Sequence, residues 1–279
     1  MIALSTGSLY SYGTARVFAL AAHAGFDGIE IMVDHRWDTR QPDYLRALSG
    51  GHDLPIVALH SPFLTLDAPG WPDDELGRLQ HTVALAQALD VPTVVTHLPF
   101  RFHALVGRWY AARQRSFKLP VPIRRREPYA RFLCNGLGAL ESEAGVTVAV
   151  ENMPAHRFLG RRVNGYTFNS VAEIARFPHL TLDTTHLGTW GLDPVAVYEQ
   201  WRERVAHVHL SNFDGREHRS PPDGHLQLAA LLRRLADDGY QGAVTVETSP
   251  DALHAEDEDR CLAALRRALA FCREHFVRR

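Results

Sequence analysis

Lysine is almost absent from this chain: among its 279 residues only Lys118 carries an amine side chain. A Schiff-base aldolase or a pyridoxal enzyme needs a lysine inside its site, and a P-loop needs one on its glycine turn, so these classes are disfavoured. Cysteine is nearly as scarce. Cys134, Cys261 and Cys272 are scattered without a CxxC spacing, which supports neither a zinc ribbon nor a disulfide framework. No apolar run reaches the roughly 18 residues of a membrane-spanning helix. The opening residues Met1-Ile2-Ala3-Leu4-Ser5-Thr6 lack the charged and apolar regions of a signal peptide. The expectation is a cytoplasmic protein with no membrane partner. A dinucleotide-binding fingerprint is missing too, because Gly7-Ser8-Leu9-Tyr10-Ser11-Tyr12-Gly13 does not have the GxGxxG spacing.

What the chain does have is an ordinary globular balance, 46% hydrophobic and 22% charged, and a length suited to one α/β barrel of about 250 residues. Its charge is unevenly placed. Between Arg101 and Arg131 nine basic residues (Arg101, Arg108, Arg113, Arg115, Lys118, Arg124, Arg125, Arg126 and Arg131) face one acid, Glu127. The whole chain carries −2, so the remainder is strongly acidic. Such a bipolar molecule suggests an anionic ligand near that segment, or a solvated basic insertion.

Short β-branched or apolar runs alternate with longer amphipathic stretches eight times, without a composition break or linker. The expected strands are 2–5, 28–33, 55–60, 93–97, 146–151, 180–183, 205–210 and 243–247. Helical periodicity marks 73–89, 128–143, 226–238 and 256–276. Gly25-Phe26-Asp27-Gly28 and Gly239-Tyr240-Gln241-Gly242 share one form, a helix stopped by glycine and a tight turn into a strand. Strands joined by helices are parallel, and eight such units close into a (β/α)8 barrel. The reading is a single domain over 1–279, with an insertion at about 99–127 overhanging the carboxyl ends of the strands, where barrel active sites are built.

Polar residues collect at those ends. Glu30 lies on strand two, His60 ends strand three, His97 strand four, and Glu151-Asn152 strand five. Asp183-Thr184-Thr185-His186 ends strand six, His207 and His209 lie on strand seven, and Glu247 ends strand eight. Acids and imidazoles in a barrel interior must be paired or metal-bound, because an isolated buried charge costs several kcal/mol or more. Glu151, Asp183, His209 and Glu247 would surround one point, and this mixed O/N set suits Mn²⁺, Mg²⁺ or Co²⁺ as well as Zn²⁺. Glu30 reads as a substrate contact or an ion-pair partner, and His207 as a hydrogen-bonded barrel histidine.

Leu59-His60-Ser61-Pro62-Phe63, Thr96-His97, Val150-Glu151-Asn152, Asp183-Thr184-Thr185-His186, His207-Val208-His209-Leu210-Ser211-Asn212 and Val246-Glu247-Thr248 together resemble the xylose-isomerase-like barrel superfamily. That superfamily holds sugar isomerases and epimerases as well as the endonuclease IV repair nucleases. In its epimerase branch the resemblance implies that Glu151, Asp183, His209 and Glu247 bind one divalent metal. Glu151 and Glu247 would then move a proton on opposite sides of a ketose carbon through a metal-stabilised enediolate. His186, Arg216 and His218 would lie against substrate oxygens. Phe63, Phe100, Trp109 and Trp190, on the expected strand-end loops, read as a cover for an apolar sugar face or as loop packing, and the basic segment with Arg157, Arg161 and Arg162 would clamp an anion.

In the nuclease branch the resemblance implies three zinc ions, with positions matched here by His60, His97, Glu151, Asp183, His186, His209 and Glu247. The remaining Asp-x-His aligns with Arg216-Glu217-His218, and an arginine cannot ligate zinc. A shifted register would use Asp223-Gly224-His225 instead. His60 and His97 still allow a second metal bridged by Glu151. The expectation is therefore a metal-dependent isomerase or epimerase of a small sugar, polyol or sugar phosphate, with one divalent ion (Mn²⁺, Co²⁺, Mg²⁺ or Zn²⁺) or two. The alternative is a phosphodiesterase acting on abasic DNA, and a third reading, a non-catalytic sugar-binding barrel, has no use for two proton-carrying glutamates.

Overall fold

Each barrel strand is a short aliphatic run buried on both faces, one toward the helices and one toward the barrel axis, as a fully covered parallel sheet requires. The computed structural model describes residues 1–66, 68–107, 117–122 and 127–277. Its strands are β1 (Ile2–Ser5), β2 (Gly28–Met32), β3 (Ile56–His60), β4 (Thr93–Thr96), β5 (Thr147–Glu151), β6 (Leu180–Asp183), β7 (Val205–Leu210) and β8 (Val244–Val246). They close in the order β1-β8-β7-β6-β5-β4-β3-β2, all pairs parallel. The expected (β/α)8 barrel is the observed one. Two short antiparallel hairpins stand outside it, Phe102–Gly107 with Phe117–Pro122 and His156–Phe158 with Arg161–Val163.

The two glycine turns act as the sequence suggests. Gly25 (φ 95°) and Gly239 (φ 71°) take the left-handed conformation that ends a helix. Gly28 opens β2 and Gly242 lies two residues before β8, and neither has room for a side chain: a Cβ on Gly28 would lie 2.6 Å from Val57, and one on Gly242 would strike the Ala206 carbonyl. The stretch 128–143 departs from expectation, because it is two helices, Glu127–Asn135 and Leu137–Ala144, broken at Gly136. The Phe132 ring occupies the place a Cβ at Gly136 would take.

Helices cover the barrel through apolar stripes. Leu231, Leu232 and Leu235 of Leu228–Asp237, and Cys261, Leu265, Ala268, Leu269 and Cys272 of Glu258–His275, all turn inward. Burial pushes the Cys261 thiol up to about 11 and the Cys272 thiol up to about 12, which leaves both as inert core groups. Among the described residues, no helix is long and apolar enough to cross a membrane. The insertion follows β4 as expected, but the side chains of Arg108, Trp109, Arg113, Arg115, Lys118, Arg124, Arg125 and Arg126 lie outside the described residues.

Strand register positions the site. β6 and β7 place Asp183 beside His209, and Thr181 beside both His207 and Glu151. β7 and β8 place His209 beside Thr245, so Glu247 stands one inward layer above it. Acid and imidazole side chains from four neighbouring strands thereby meet at the carboxyl rim.

Candidate functional site

Short polar side chains stitch the strand ends together before any ligand is considered. Asn152 clamps the β6 end, its Oδ1 accepting from the Asp183 N–H (2.8 Å) and its Nδ2 donating to the Asp183 carbonyl (3.0 Å). Thr184 donates to the Ser211 carbonyl (2.6 Å) and accepts from the Ser211 N–H (3.0 Å). Thr185 donates to the Asn212 carbonyl (3.1 Å) and accepts from the His218 N–H (3.1 Å). The Asp-Thr-Thr-His and Ser-Asn motifs are thus the seam between β6 and β7. Asp183 caps the following helix as well, its Oδ1 accepting from the His186 N–H at 2.8 Å.

On this seam Glu151, Asp183, His209 and Glu247, all buried, offer one ligand atom each within 4.8 Å of one another. His209 Nδ1 is 2.8 Å from Glu151 Oε1, 3.1 Å from Glu247 Oε2 and 3.8 Å from Asp183 Oδ2. Asp183 Oδ2 is buried without a hydrogen-bond donor. An acceptor left bare in a site packed with acceptors is what a cation would satisfy. The donor set fits the divalent ion expected from the sequence.

A second group adjoins the first. His60 Nε2 and His97 Nε2 each lie 3.6 Å from Glu151 Oε2, and all three atoms are buried without a hydrogen-bond partner. Ligands held about 2.1 Å from a tetrahedral ion stand about 3.4 Å apart, so this spacing suits a shared cation better than a hydrogen bond. His60 Nδ1 donates to the Ser61 carbonyl (3.0 Å), leaving its Nε2 lone pair directed at Glu151. The His97 ring stacks on Phe63 with centroids 3.9 Å apart.

Burial opposes every charge in this cluster. It pushes the Asp183 carboxyl well above the usual carboxylate range, helped by the charges of Glu151 and Glu247. Burial acts the same way on Glu151, but the imidazoles of His209, His60 and His186 outweigh it and hold that carboxyl well below the usual range. For His209, burial disfavours the charged ring, yet the carboxylates of Glu247, Glu30 and Glu151 outweigh it and raise the imidazole well above its ordinary value. Burial, with His60 adding to it, keeps His97 neutral. Asp183 and His209 therefore bind protons more tightly than ordinary groups of their kind, and a cation taken up at these atoms competes with protons. Mn²⁺ titrated calorimetrically in buffers of different ionisation enthalpy is expected to release one or more protons per ion. Apparent affinity should rise with pH until it passes these raised values. Binding without proton release would contradict the arrangement.

The other residues anticipated as substrate contacts fall into three places. His186, His218 and Glu217 come together, with ligand atoms within 4.8 Å of one another. Both rings are pinned through Nδ1, His186 to the Asn152 carbonyl (2.8 Å) and His218 to the Glu247 carbonyl (3.2 Å). Glu217 stands between Arg216 and His218, and an acid directly before a histidine is its signal in the sequence. Arg216 itself is two-thirds exposed and bound to Asp214 (3.0 Å), whose carboxylate lies two residues back on the same loop and draws the guanidinium away from the cluster. The shifted register fails for a similar reason, since Asp223 pairs with Arg267 and His225 packs on Phe213. Trp190 donates its indole N–H to the Met153 carbonyl (3.0 Å) and lines a separate cavity with Asn152, Asn164 and Asn169. Phe100 packs on Tyr166.

Glu30 faces the opposite nitrogen of His209 from Glu151 and Glu247. It is fully buried beneath the cluster, its Oε2 3.1 Å from His209 Nε2 and 2.7 Å from His207 Nε2. These contacts are those of an ion-pair partner for Glu30, whereas His207, expected to be hydrogen-bonded, sits against that carboxylate out of hydrogen-bond alignment.

A closed parallel barrel with imidazoles and carboxylates gathered at the carboxyl rim defines a class: (β/α)8 proteins whose strand-end side chains can hold divalent ions. Within that class, this chain belongs to the family described as Xylose isomerase-like TIM barrel, which residues 18–277 match. An uncharacterized protein of Mycobacterium tuberculosis is 28% identical to it, over 99% of this chain and 98% of that one. Among solved structures, a D-tagatose 3-epimerase-like protein superposes with a TM-score of 0.64 at 20% identity, covering 98% of each chain. D-psicose 3-epimerase from Clostridium cellulolyticum, solved with D-tagatose, gives 0.67 at 17% identity, covering 99% of each.

Proposed function

We propose that this protein is a divalent-metal-dependent isomerase or epimerase of a small sugar, polyol or sugar phosphate. One observation carries the reading: four buried donors from four strands converge at the barrel rim, and one carboxylate oxygen among them, Asp183 Oδ2, has no donor. A bound divalent cation would polarise neighbouring oxygens of the substrate and stabilise charge that develops on them. Asp183 and His209 would hold such an ion, and Glu151 and Glu247 would contribute to it while supplying the acid and base. Glu247 stands at the upper layer, where it can take a proton from a carbon next to a carbonyl. Glu151, deeper and bound to His209, can return one. His186 and His218 present ring nitrogens to substrate hydroxyls. The epimerase structures noted above support this choice of substrate class.

A second reading is kept because specific observations favour it. The unpartnered atoms of His60, His97 and Glu151, with the His186–Glu217–His218 group beside them, offer sites for further ions. Such a set suits a metal-dependent phosphodiesterase acting on abasic DNA, with phosphate contacts from the basic residues.

Both readings are tested on one preparation. Metal content is measured by plasma mass spectrometry. The Mn²⁺- or Co²⁺-loaded protein is then given a panel of ketoses and their phosphates in D₂O, and, separately, an abasic duplex. Chelator-sensitive deuterium uptake next to the carbonyl is the expected result. Cleavage of the duplex with three zinc ions bound would transfer the assignment to the second reading, and failure to bind any divalent ion would end both.

A further inference from the structure

His209 is the one group in the cluster that touches carboxylates through both ring nitrogens: Nδ1 faces Glu151 and Glu247, and Nε2 faces Glu30. We infer that Glu30, braced by His207, is a positioning residue that fixes His209 as an Nδ1 ligand. The inference rests on the metal-dependent reading above and concerns residues that cannot reach a substrate.

The argument is one of hydrogen-bond polarity. An ionised carboxylate only accepts, so a nitrogen held against it carries a proton. Without a cation both ring nitrogens face carboxylates; with Nε2–H held by Glu30 Oε2 at 3.1 Å, the proton that a cation would displace is the one on Nδ1, which leaves the lone pair of neutral His209 on the nitrogen that faces Asp183, Glu151 and Glu247. The opposite tautomer would set a lone pair against a buried carboxylate and turn an N–H toward the cation. The same contact fixes the plane of the ring. β-strand geometry cannot do that alone, since the ring's terminal torsion is broad.

Glu30 is held in its own right. It lies on β2, across the barrel from β7, and nothing of it is exposed. His207, two residues before His209 and on the same inward face, approaches the same oxygen at 2.7 Å, although not in hydrogen-bond alignment. Its ring stands perpendicular to that of His209, with centroids 5.1 Å apart. The carboxylate is thus enclosed by two imidazoles, and the second prevents it from swinging away from the first. Carboxylates that orient a ligating histidine typically tune metal affinity ten- to a hundredfold.

Glu30→Gln preserves volume but lets an amide N–H face His209 Nε2, which permits the wrong tautomer. His207→Phe keeps a ring of similar size and removes only the brace. Mn²⁺ affinity is measured by calorimetry well below the melting temperature of each variant. The Zn²⁺-loaded wild type is examined by ¹⁵N NMR of the histidine rings. Expected are a rise in Kd of ten- to a hundredfold for Glu30→Gln, a smaller rise for His207→Phe, and an Nδ1-ligated, Nε2-protonated signature for His209. A merely structural role would lower melting temperature and leave Kd and the ring signature alone, which would overturn the inference. Ligation through Nε2, or an ion seated between Glu30 and His207, would overturn it as well. Because both readouts compare variants with a wild type that binds metal, a protein that takes up no ion is a distinct result, one that removes the metal-dependent reading itself.

Discussion

Glu247→Gln is expected to slow substrate proton exchange by about 10²- to 10⁴-fold, the usual worth of a positioned general base, while the protein still binds a divalent ion. The asymmetry follows from placement. The Glu247 side chain is 8% exposed, against 1% for Glu151, and stands a layer higher, nearer the mouth. Gln keeps one carbonyl oxygen for the ion but cannot accept a proton. Glu151→Gln should instead hurt both functions, because Glu151 contacts His209 through one oxygen and approaches His60 and His97 with the other. The measurement is deuterium incorporation under saturating substrate, with metal content determined on the same samples. If Glu247→Gln loses its ion and Glu151→Gln keeps it, the roles assigned to the two glutamates are reversed.

Much of this site was legible in the sequence because barrel strands are brief and end where the chemistry begins. An aliphatic run of four to six residues closed by His, Glu or Asp marks both the element and its functional end. Strand register then did the rest, since parallel neighbours bring such ends to one rim. Loop residues were legible only as types. The resemblance implies a substrate contact for Arg216, but Asp214, two residues away, holds it in solvent, and local pairing of that kind leaves no periodic trace. Glu217 was hidden by the same register. Glu30 was visible as a buried acid, yet its partners lie on a strand across the barrel, and only the closed fold shows that it faces His209 from below. The break at Gly136 leaves no trace in helical periodicity, and the Phe132 ring fills the place a Cβ there would take.

Asp183→Asn is expected to move binding and stability in opposite directions. As an acceptor, Asp183 divides its labour: Oδ1 caps a helix through the His186 N–H, whereas Oδ2 faces the cluster with no donor. Asn is as good a helix cap as Asp, so the first role survives. In place of Oδ2 it brings an amide N–H₂ toward Glu151 and Glu247, where a donor is wanted. Burial and those same carboxylates raise the Asp183 carboxyl far above its unfolded range. A group of that kind destabilises the metal-free fold at any pH high enough to ionise it in the unfolded chain, and the penalty fades as pH falls and the unfolded carboxyl also takes up its proton. The neutral amide removes that penalty. The metal-free variant should therefore unfold at higher urea than wild type at pH 7, with the difference shrinking below about pH 4, near the unfolded carboxyl's own value. Its divalent-ion affinity should nevertheless fall by roughly a hundredfold or more, since an anionic ligand has been exchanged for a neutral one. Urea unfolding in chelator, beside calorimetric titration of Mn²⁺, separates the two effects. A variant unaltered in affinity would mean that Asp183 is not a ligand, and that the cation lies elsewhere.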